Sequence, residues 1–426
     1  MSQPIRRIAV IGGSRIPFCR SNSFYSRQSN LDMLSATMQG LVDKFNLAGK
    51  KIDEVVAGAV TTHSKDWNLA REALQSTSLS SLSPGITLQQ ACGTSLQSAL
   101  YIGSKIAAGD IECGIAAGSD TTSDVPIVYG RKFSQRLVAL SRARSFGQRM
   151  KAFKGFSPAE LKPVSPGVGE PRTGLSMGQH CERMAREWHI ERQEQDRLAM
   201  ESHHKAAAAY DAGFFDDLIA PFNGVLRDNN LRPDTNMDKL TELRTVFSKA
   251  SDASLTAGNS TPLTDGAAAV LLGSEEWAQQ NGLPAQAYLT ASRTAAVDYV
   301  NDEGLLMAPT VAVSELLAAR GLTLQDFDFY EIHEAFAAQV LCTLKAWNSR
   351  EYCRNRLGLD EALGEIDPAK MNIRGSSLAV GHPFAATGAR IVATLGKILE
   401  EAGSGRGLIS ICTAGGMGVA AIMERD

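Results

Sequence analysis

Two cysteines and two histidines stand in short motifs that could bring reactive side chains together. Cys92 precedes a segment with helical spacing, so its thiol would lie at a helix N-terminus, where backbone N–H groups and the helix dipole favour a thiolate. His333 and Cys412 each end a predicted strand, and His382 stands just ahead of a predicted helix. Such turns gather along one edge of an α/β sheet, so residues that are distant in sequence can converge there.

Two thiols and two imidazoles suit carbon–carbon bond exchange on thioesters. One cysteine must become acylated, and a histidine must take its proton. The second cysteine must move a proton at a carbon next to a thioester carbonyl, for which a group of pKa about 8.5 is better matched than a carboxylate. Oxyanion-hole donors must stabilise the enolate and the tetrahedral intermediate, each by about 3 kcal/mol. The candidate catalytic residues are therefore Cys92, His333, His382 and Cys412.

Each of these four residues also has an ordinary structural interpretation. A free cysteine such as Cys92 is more often a small buried apolar residue than a nucleophile. His382 lies between glycine and proline and could simply fix a turn, while His333 could cap the helix that follows it. Cys412 could be a packed thiol at a strand end. Only the motifs around all four residues, taken in order, favour the catalytic interpretation.

Strands alternate with helices in the first and last parts of the chain, which predicts an α/β protein with a parallel or mixed sheet. The predicted strands are 8–13, 52–60, 113–118, 267–272, 287–291, 327–332 and, as the last main strand, 408–412. The predicted helices are 31–45, 67–74, the segment from Cys92 to the stop at Gly109, 179–188, 191–212, 311–319, 335–347 and 386–401.

The first and last parts of the chain repeat one another. Each opens with a strand that leads into Ser-Arg, at Ser14 and again at Ser292. Each later offers a reactive side chain just ahead of a helix, which is Cys92 in the first part and His382 in the second. This internal duplication predicts two similar halves packed together, with the chemistry at their junction.

A stretch of different character, from about 119 to 250, interrupts the first half. Its basic part, 131–154, contains no acidic residue, and its apolar residues recur at helical spacing with Gly147 as the expected break. One hypothesis is that this segment docks an anionic membrane or a partner subunit. The alternative is that its apolar face packs onto the body of the protein while its charges are merely solvated.

The composition describes an ordinary globular protein, since 44% of the 426 residues are hydrophobic and 21% are charged. A net charge of −3 argues against a dedicated nucleic-acid binder. The seven cysteines are scattered without a CxxC pair, so we expect reduced thiols in the cytoplasm and no metal site. No apolar run reaches membrane-spanning length, and the first residues leave no room for a signal peptide.

Five motifs together resemble the thiolase family. They are Gln-Ala-Cys92-Gly-Thr-Ser, Gly258-Asn-Ser-Thr-Pro-Leu-Thr-Asp-Gly-Ala-Ala-Ala-Val, His333-Glu-Ala-Phe-Ala, Gly381-His382-Pro-Phe-Ala-Ala-Thr-Gly and Cys412-Thr-Ala-Gly-Gly-Met-Gly. The resemblance covers essentially the whole chain. Most thiolases have Asn-Glu-Ala-Phe where this chain has His333-Glu-Ala-Phe. The His form is similar to the β subunits of fatty-acid β-oxidation trifunctional complexes and to their bacterial relatives.

The resemblance implies a duplicated α/β thiolase fold with two similar halves in a layered αβαβα arrangement. Residues 1–120 and 251–275 would form the N-terminal half, which carries Cys92. Residues 276–426 would form the C-terminal half, which carries the other three candidates. Residues 121–250 would form a long loop domain, inserted into the first half, that covers coenzyme A (CoA).

The resemblance also implies a role for each candidate residue. Cys92 would be the acylated nucleophile, His382 its base, and Cys412 the acid and base at the alpha carbon. His333 would share with His382 the oxyanion hole for the thioester or enolate oxygen. The second oxyanion hole would use the backbone N–H groups of Cys92 and Ala414. Many thiolases have glycine at position 414, and a backbone that required positive φ would resist alanine there.

The implied activity is that of an acetyl-CoA C-acyltransferase (3-ketoacyl-CoA thiolase), which performs the last step of fatty-acid β-oxidation. Met177 and Ser260 would contact the CoA substrates, and no permanently bound cofactor is expected. We expect a homodimer or homotetramer and no nucleic-acid partner. A hydratase–dehydrogenase α subunit is a further candidate partner.

Other functions compete with this one. An acetyl-CoA C-acetyltransferase would use the same residues to condense two acetyl-CoA molecules. A β-ketoacyl synthase-like enzyme needs no second catalytic thiol, so Cys412 argues against it. A catalytically inactive lipid-binding or scaffold protein of the same fold would not need all four reactive residues. A papain-like hydrolase would have a different cysteine signature and no duplication.

Overall fold

A computed structural model describes residues 5–426 and shows a mixed α/β chain built on one large sheet. The strands are β1 (Ile8–Arg15), β2 (Cys19–Arg20), β3 (Glu54–Gly58), β4 (Gly85–Thr87), β5 (Cys113–Asp120), β6 (Val128–Tyr129), β7 (Pro163–Val164), β8 (Thr264–Ser274), β9 (Ala287–Ala296), β10 (Phe329–Ile332), β11 (Gly405–Thr413) and β12 (Met417–Arg425).

The α-helices pack on the outer faces of this sheet and between its two halves. They are α1 (Asn30–Lys44), α2 (Leu69–Gln75), α3 (Thr94–Ala108), α4 (Arg131–Arg142), α5 (Phe146–Ala152), α6 (Met177–Glu187), α7 (Arg192–Asp211), α8 (Met237–Thr241), α9 (Glu275–Gln280), α10 (Ala308–Arg320), α11 (Ala337–Trp347), α12 (Arg350–Leu357), α13 (Ser377–Val380) and α14 (Thr387–Ala402). Across residues 5–426, none of these helices is long and apolar enough to cross a membrane.

The two halves of the chain share one strand order and one set of strand directions. In the first half the order is β1-β8-β5-β3, in which β8 is antiparallel to both neighbours and β5 is parallel to β3. In the second half β9-β12-β11-β10 repeats this order with the same directions. The duplication predicted from the sequence is therefore present in the fold.

Within residues 5–426, the two half-sheets meet only at their first strands. Two residue pairs join β1 to β9, which are Ala9 with Tyr288 and Val10 with Ala287. Within the first half, by contrast, β1 pairs with β8 from Ile8 to Arg15. Each half thus contributes one half of the large sheet, and the connection between the two half-sheets is short.

Helices cover both faces of each half-sheet and produce five layers. Helices α1 and α2 pack on the outer face of the first half-sheet, in a core that includes Leu41 and Ile115. Helices α10 and α11 pack on the outer face of the second, in a core that includes Leu317 and Leu408. Helices α3 and α14 form the middle layer, where apolar residues of both half-sheets contact them. The expected αβαβα arrangement is thus confirmed.

The two middle helices begin side by side because a glycine permits their backbones to touch. A Cβ atom at Gly388, in the first turn of α14, would lie 2.2 Å from the backbone nitrogen of Leu96 in α3. Cys92 lies just before α3, and His382 lies just before α14. The close approach of the helices therefore sets the distance between these two residues.

The insertion between β5 and β8 carries helices α4 to α8 and is attached to both halves. Helix α7 packs against α11 and α13 of the second half. A buried ion pair fastens the insertion to β1, since Asp228 accepts hydrogen bonds from both Nη atoms of Arg15 at 2.6 and 2.7 Å and from the Tyr210 hydroxyl at 2.8 Å. Loss of either partner would leave an uncompensated charge inside the protein.

Two expectations from the sequence are wrong in detail. Strand β11 is not the last main strand, because β12 follows it and lies between β11 and β9. Gly147 does not break the basic segment, because it lies inside α5. The break falls at 143–145, where Ser145 caps the N-terminus of α5. Residues 1–4 lie outside the described residues. The sequence places them in the N-terminal half and predicts no signal peptide there.

Candidate active site

Cys92 and His382 are in contact at the beginning of the middle helices. Cys92 lies in the 3₁₀ turn Ala91–Gly93 ahead of α3, and His382 precedes the matching turn Phe384–Ala386 ahead of α14. The distance from Cys92 Sγ to His382 Nε2 is 3.1 Å, and both side chains are buried. The thiol therefore has an imidazole nitrogen within hydrogen-bond reach, as a nucleophile and its base require.

The loop that presents Cys92 has an uncommon backbone conformation. Ala91, directly before the thiol, has a φ of 46°, which alanine rarely adopts. The Thr94 hydroxyl donates to the Ala91 carbonyl at 2.7 Å and accepts the backbone N–H of Gln90 at 2.9 Å. These two hydrogen bonds hold the strained residue in place and fix the thiol at the N-terminus of α3.

The folded chain keeps the Cys92–His382 pair neutral. Burial raises the pKa of the Cys92 thiol to about 12, while the backbone N–H of Ala414 acts in the opposite direction. Burial also lowers the pKa of His382 to about 3, and the positive charge of Arg390 adds to this effect. The thiolate expected at a helix N-terminus does not form at rest, because the desolvation of its charge outweighs the helix dipole.

Hydroxyl groups and one buried carboxylate hold His382. Its Nδ1 lies 2.6 Å from Thr387 Oγ1, and its backbone N–H donates to Thr264 Oγ1 at 3.2 Å. Asp120, at the end of β5, accepts the backbone N–H of Ala385 at 2.9 Å and two further N–H groups from the loop after β3. Asp120 therefore fastens the loop that carries His382 to the first half.

His333 lies beside His382 with one ring nitrogen unpaired. The two ring centroids are 4.2 Å apart. His333 Nδ1 lies 2.8 Å from Ser377 Oγ, whereas its Nε2 is buried and has no hydrogen-bond partner within residues 5–426. A buried polar atom without a partner next to a thiol and a second imidazole indicates a place for a polar atom of a substrate.

Cys412 lies at the carboxyl end of β11 and completes the group of four. It pairs with Gly418 of β12, and its side chain belongs to an apolar cluster that also contains Phe336 and Cys181. Burial raises the pKa of the Cys412 thiol well above its ordinary value, and the nearby charge of Cys92 adds to this effect. Strand β11 packs against the 3₁₀ turn that carries Cys92, so the two thiols lie on neighbouring elements.

Alanine at position 414 does not disturb the backbone there. Ala414 is not among the non-glycine residues with positive φ in the described chain, while Gly415 and Gly416 have φ values of 78° and 70°. The residues in the left-handed conformation are therefore glycines. Because Ala414 does not need a positive φ, alanine causes no backbone strain at this position. Glu170 of the insertion accepts the backbone N–H of Gly415 at 3.1 Å and so holds this turn from the other side.

The thiol of Cys92 and ring nitrogens of His333 and His382 also form a set of possible metal ligands, all within 4.8 Å of one another. Two ligands of a tetrahedral zinc ion would lie about 3.5 Å apart, whereas the 3.1 Å between Cys92 and His382 is a hydrogen-bond distance. The second nitrogens of both histidines contact hydroxyls and not carboxylates. This geometry favours acid–base chemistry over metal binding.

The two expected CoA contacts both neighbour the apolar cluster that contains Cys412. Met177 begins α6 and packs against this cluster. Ser260 pairs with Phe336 in an isolated bridge, and its buried hydroxyl has no hydrogen-bond partner among the described residues. Both residues therefore remain candidates for contact with a bound substrate.

The sequence interpretation missed the polar residues that hold the site in place. Ser377 and Thr387 contact ring nitrogens of His333 and His382, whereas Asp120 and Glu170 accept backbone N–H groups from the neighbouring loops. A carboxylate at the end of an apolar strand is a signal that could have found Asp120. A hydroxyl in the first turn of the helix after His382 could likewise have indicated Thr387.

Comparison with known proteins identifies similarity along nearly the whole chain. The family model described as the thiolase N-terminal domain matches residues 8–276, and the thiolase C-terminal domain matches residues 283–425. The chain is 39% identical over 424 residues to 3-ketoacyl-CoA thiolases of Shewanella loihica and Yersinia enterocolitica, which covers 98% of this chain and 97% of each relative.

Two solved structures have a similar fold. One is the acetyl-CoA acetyltransferase of Bacillus anthracis, with a TM-score of 0.81 and 27% identity over 99% of this chain and 100% of that one. The other is the human mitochondrial 3-ketoacyl-CoA thiolase, with a TM-score of 0.80 and 25% identity over 99% of each chain.

Proposed function

Because this chain belongs to the thiolase family, we propose that it is a 3-ketoacyl-CoA thiolase that uses Cys92 as its nucleophile. The reaction consumes 3-ketoacyl-CoA and CoA and yields acetyl-CoA and an acyl-CoA that is two carbons shorter, as the last step of fatty-acid β-oxidation. The observation that carries the assignment of roles is the 3.1 Å contact between Cys92 Sγ and His382 Nε2.

In the first step Cys92 attacks the 3-keto carbon of the substrate. Its proton passes to His382 Nε2 as the sulfur–carbon bond forms, because neither a resting thiolate nor a resting imidazolium is stable in this buried site. The keto oxygen becomes an oxyanion, which accepts hydrogen bonds from the backbone N–H groups of Cys92 and Ala414.

In the second step the bond between the second and third carbons breaks. The acyl group stays on Cys92, and the electron pair moves to acetyl-CoA as an enolate. His333 Nε2–H and the protonated His382 donate to the enolate oxygen. Cys412 gives its S–H proton to the alpha carbon, which releases acetyl-CoA and leaves a Cys412 thiolate.

In the third step the acyl group passes to CoA. The Cys412 thiolate takes the proton of the incoming CoA thiol, whose sulfur attacks the acyl carbon on Cys92. The tetrahedral intermediate collapses with Cys92 as the leaving group, and Cys92 recovers its proton from His382. All four side chains are then in their starting states, so no permanently bound cofactor takes part. Met177 and Ser260 are the proposed contacts to the CoA part of both substrates.

Intact-protein mass spectrometry after incubation with a simple acyl-CoA tests the assignment of the two thiols. Cys92→Ala should acquire no acyl group. Cys412→Ala should still be acylated, because that half-reaction needs the base His382 but no proton at a carbon. Label on Cys412, or a labelled Cys92→Ala protein, would show that the roles of the two cysteines are reversed.

A second candidate is the condensation of two acetyl-CoA molecules. The similarity to the Bacillus anthracis acetyl-CoA acetyltransferase favours it, and the same four side chains would run the steps above in reverse. Thiolysis rates with a series of 3-ketoacyl-CoA chain lengths distinguish the two. Activity confined to acetoacetyl-CoA would favour the acetyltransferase.

We also propose that the protein self-associates, as a homodimer or homotetramer, through the open edge of β4. Among the described residues this short strand pairs only with β3, and Ile86 on it is 38% exposed. Leu82 lies three residues before β4, and Trp67 lies two residues before α2, which packs against β4; they are 77% and 80% exposed, respectively. A sheet edge beside apolar side chains is a site for pairing between chains. A monomer by light scattering at micromolar concentration would contradict this.

The last proposed feature is a basic hairpin formed by α4 and α5. Arg136 closes the hairpin, since its guanidinium contacts Glu160 at 2.6 Å and donates to the carbonyls of Ala152 and Lys154. The apolar side chains Phe146 and Met150 are 78% and 59% exposed. The hairpin therefore does not pack its apolar face onto the body, and we propose that it docks an anionic membrane, with a hydratase–dehydrogenase α subunit as the alternative partner.

We place the protein in the cytoplasm. All seven cysteines are buried and unpaired, which suits a reducing compartment.

A further inference from the structure

His333 must hold its single proton on a particular nitrogen in order to act as a hydrogen-bond donor. Burial lowers the pKa of His333 well below its ordinary value, and the positive charge of Arg390 lowers it further, so the ring is neutral. A neutral imidazole carries one N–H, and the hydrogen bond made by one nitrogen sets the state of the other. The unpaired Nε2 donates only if Nδ1 carries no proton.

The partner of His333 Nδ1 is the Ser377 hydroxyl, which also contacts a cation. Arg390 Nη2 donates to Ser377 Oγ at 2.7 Å, while Nδ1 of His333 lies 2.8 Å from the same oxygen. An arginine can only donate. One lone pair of the serine oxygen is therefore occupied, and the hydroxyl proton of Ser377 remains free to be donated.

Within residues 5–426, His333 Nδ1 is the only acceptor in contact with the Ser377 hydroxyl. If Nδ1 carried the proton, the serine oxygen would accept two hydrogen bonds and its own proton would have no acceptor in a fully buried position. If Nδ1 accepts, the Ser377 hydroxyl both accepts from Arg390 and donates to His333, so its proton and its oxygen are both paired. We propose that Ser377 and Arg390 are positioning residues that hold His333 in the tautomer with its proton on Nε2.

The surroundings of Arg390 keep its guanidinium in place and charged, so that it donates to Ser377. It is 3% exposed on α14, its Nη1 also donates to Ser376 Oγ at 3.2 Å, and it lies 3.9 Å from the Glu331 carboxyl group. Burial lowers the pKa of Arg390 only to about 10, so its guanidinium stays charged at neutral pH. The same positive charge opposes protonation of both histidines.

The two neighbouring histidines thus hold opposite tautomers. His382 must keep Nε2 free of a proton in order to accept from Cys92 at 3.1 Å, so its Nδ1 donates to Thr387 Oγ1 at 2.6 Å. No cation contacts that hydroxyl among the described residues, so it can accept. The Ser377 hydroxyl accepts from a guanidinium and so donates to His333, which leaves the proton of His333 on Nε2. Within the described chain the Thr387 hydroxyl contacts no guanidinium and accepts from His382, which leaves Nε2 of His382 free to act as a base. The catalytic consequence rests on the proposed function, in which His333 Nε2–H binds the enolate oxygen.

The tautomer itself is measurable by nuclear magnetic resonance of the wild-type protein with ¹⁵N-labelled histidine. The His333 signals are identified by their loss in His333→Asn. We expect the Nδ1 resonance of His333 in the range of an unprotonated nitrogen and its Nε2 in the range of an N–H. The reverse pattern, or a charged ring, overturns the proposal whatever the function of the protein proves to be.

Variants of two adjacent serines distinguish a positioning role of Ser377 from a purely structural one. Ser377→Ala removes the donor to His333, whereas Ser376→Ala removes another hydroxyl bonded to Arg390 that does not touch His333. For Ser377→Ala we expect kcat to fall about 10- to 100-fold, less than the loss of a whole oxyanion-hole donor, with KM within about threefold of the wild type. Ser376→Ala should keep kcat within about threefold.

A partial reaction locates the effect of Ser377→Ala. Exchange of the alpha protons of acetyl-CoA in D₂O reports enolate formation, and it should slow in parallel with kcat. Acylation of Cys92 by acyl-CoA uses the other oxyanion hole and should be retained. Equal losses in both serine variants, or normal exchange in Ser377→Ala, overturn the proposal. Failure of the wild type to acylate Cys92 would instead contradict the proposed function and leave the tautomer measurement standing. If Ser377→Ala does not fold, the tautomer measurement on the wild type decides alone.

Discussion

A buried thiol and a buried imidazole favour the neutral pair, because desolvation penalises both charged forms. Burial raises the pKa of Cys92 to about 12 and lowers that of His382 to about 3. The thiolate is therefore populated only at strongly alkaline pH, and the imidazolium only at strongly acid pH. Between these limits the reactive form of Cys92 must be generated during attack on the substrate.

We predict that Cys92 contributes no thiolate absorbance between about pH 6 and 9, because its folded-state pKa lies well above this range. The measurement is the ultraviolet difference between the wild type and Cys92→Ala across that range. In urea, where the thiol regains an ordinary pKa of about 8.5, the same difference should equal one thiolate at alkaline pH. One full thiolate at pH 7 in the folded protein would indicate a resting ion pair.

We predict that His333→Ala lowers turnover by about 10²–10³-fold, because one donor to the enolate oxygen is lost. His333→Asn should cost less, since its amide can donate from a similar position. Steady-state kinetics with circular dichroism as a folding control provide the measurement. A His333→Ala enzyme with near-normal turnover would reduce this residue to a cap of the following helix.

The elements that matter most to the site are α3 and α14, the equivalent helices of the two halves. Each begins with a short 3₁₀ turn, and each follows a loop that carries a reactive side chain. Their first turns touch at Gly388, where a Cβ atom would lie 2.2 Å from the backbone of Leu96. A change at this contact moves the nucleophile relative to its base without altering either side chain.

We predict that Gly388→Ala destabilises the protein by about 1–3 kcal/mol, as overpacking in a core does, and lowers the rate of Cys92 acylation. Gly147→Ala is the matched control, because Gly147 lies in a helix with open space around it and alanine favours helices. Urea unfolding and acylation rates provide the measurements. Gly388→Ala with wild-type stability and rate would show that the helix contact does not set the geometry of the site.

The sequence predicted the elements whose periodicity is strong and missed those whose signal depends on tertiary contacts. The helix behind Cys92 and the strands 113–118 and 267–272 were evident, because their apolar spacing is regular. Strand β12 gives a weak signal in the sequence, because its apolar residues directly follow a glycine-rich motif. Ser377 and Arg390 could not be identified, since their importance arises only from contact with His333.

At the scale of the whole molecule, the insertion is joined to both halves and also projects a hairpin away from them. The buried pair of Arg15 and Asp228 ties it to β1, and α7 packs on the second half. Helices α4 and α5, by contrast, expose most of their apolar and basic side chains, and Phe133 is their one buried residue. One insertion thus combines a fixed part near the site with an exposed surface of positive charge.

We predict that the protein co-sediments with anionic vesicles at about 0.1 M salt and is released at about 1 M salt, where the Debye length falls from about 10 Å to about 3 Å. The double variant Phe146→Ser/Met150→Ser should bind several-fold more weakly, because apolar burial adds to the electrostatic attraction. Leu226→Ser/Val300→Ser is the control, since both residues are exposed elsewhere. Equal binding by both double variants would exclude the hairpin as the docking surface.

The division of the reactive pair between the two halves has a consequence for synthesis on the ribosome. His382 follows Cys92 by 290 positions. At about 5–20 residues per second, translation of that interval takes about 15–60 s. Throughout this time the nascent chain lacks the imidazole that takes the proton of Cys92, so base-assisted acylation of Cys92 waits for the second half of the chain. Any prematurely terminated product that ends before position 382 also lacks this base, and it therefore cannot catalyse acyl transfer from acyl-CoA through Cys92.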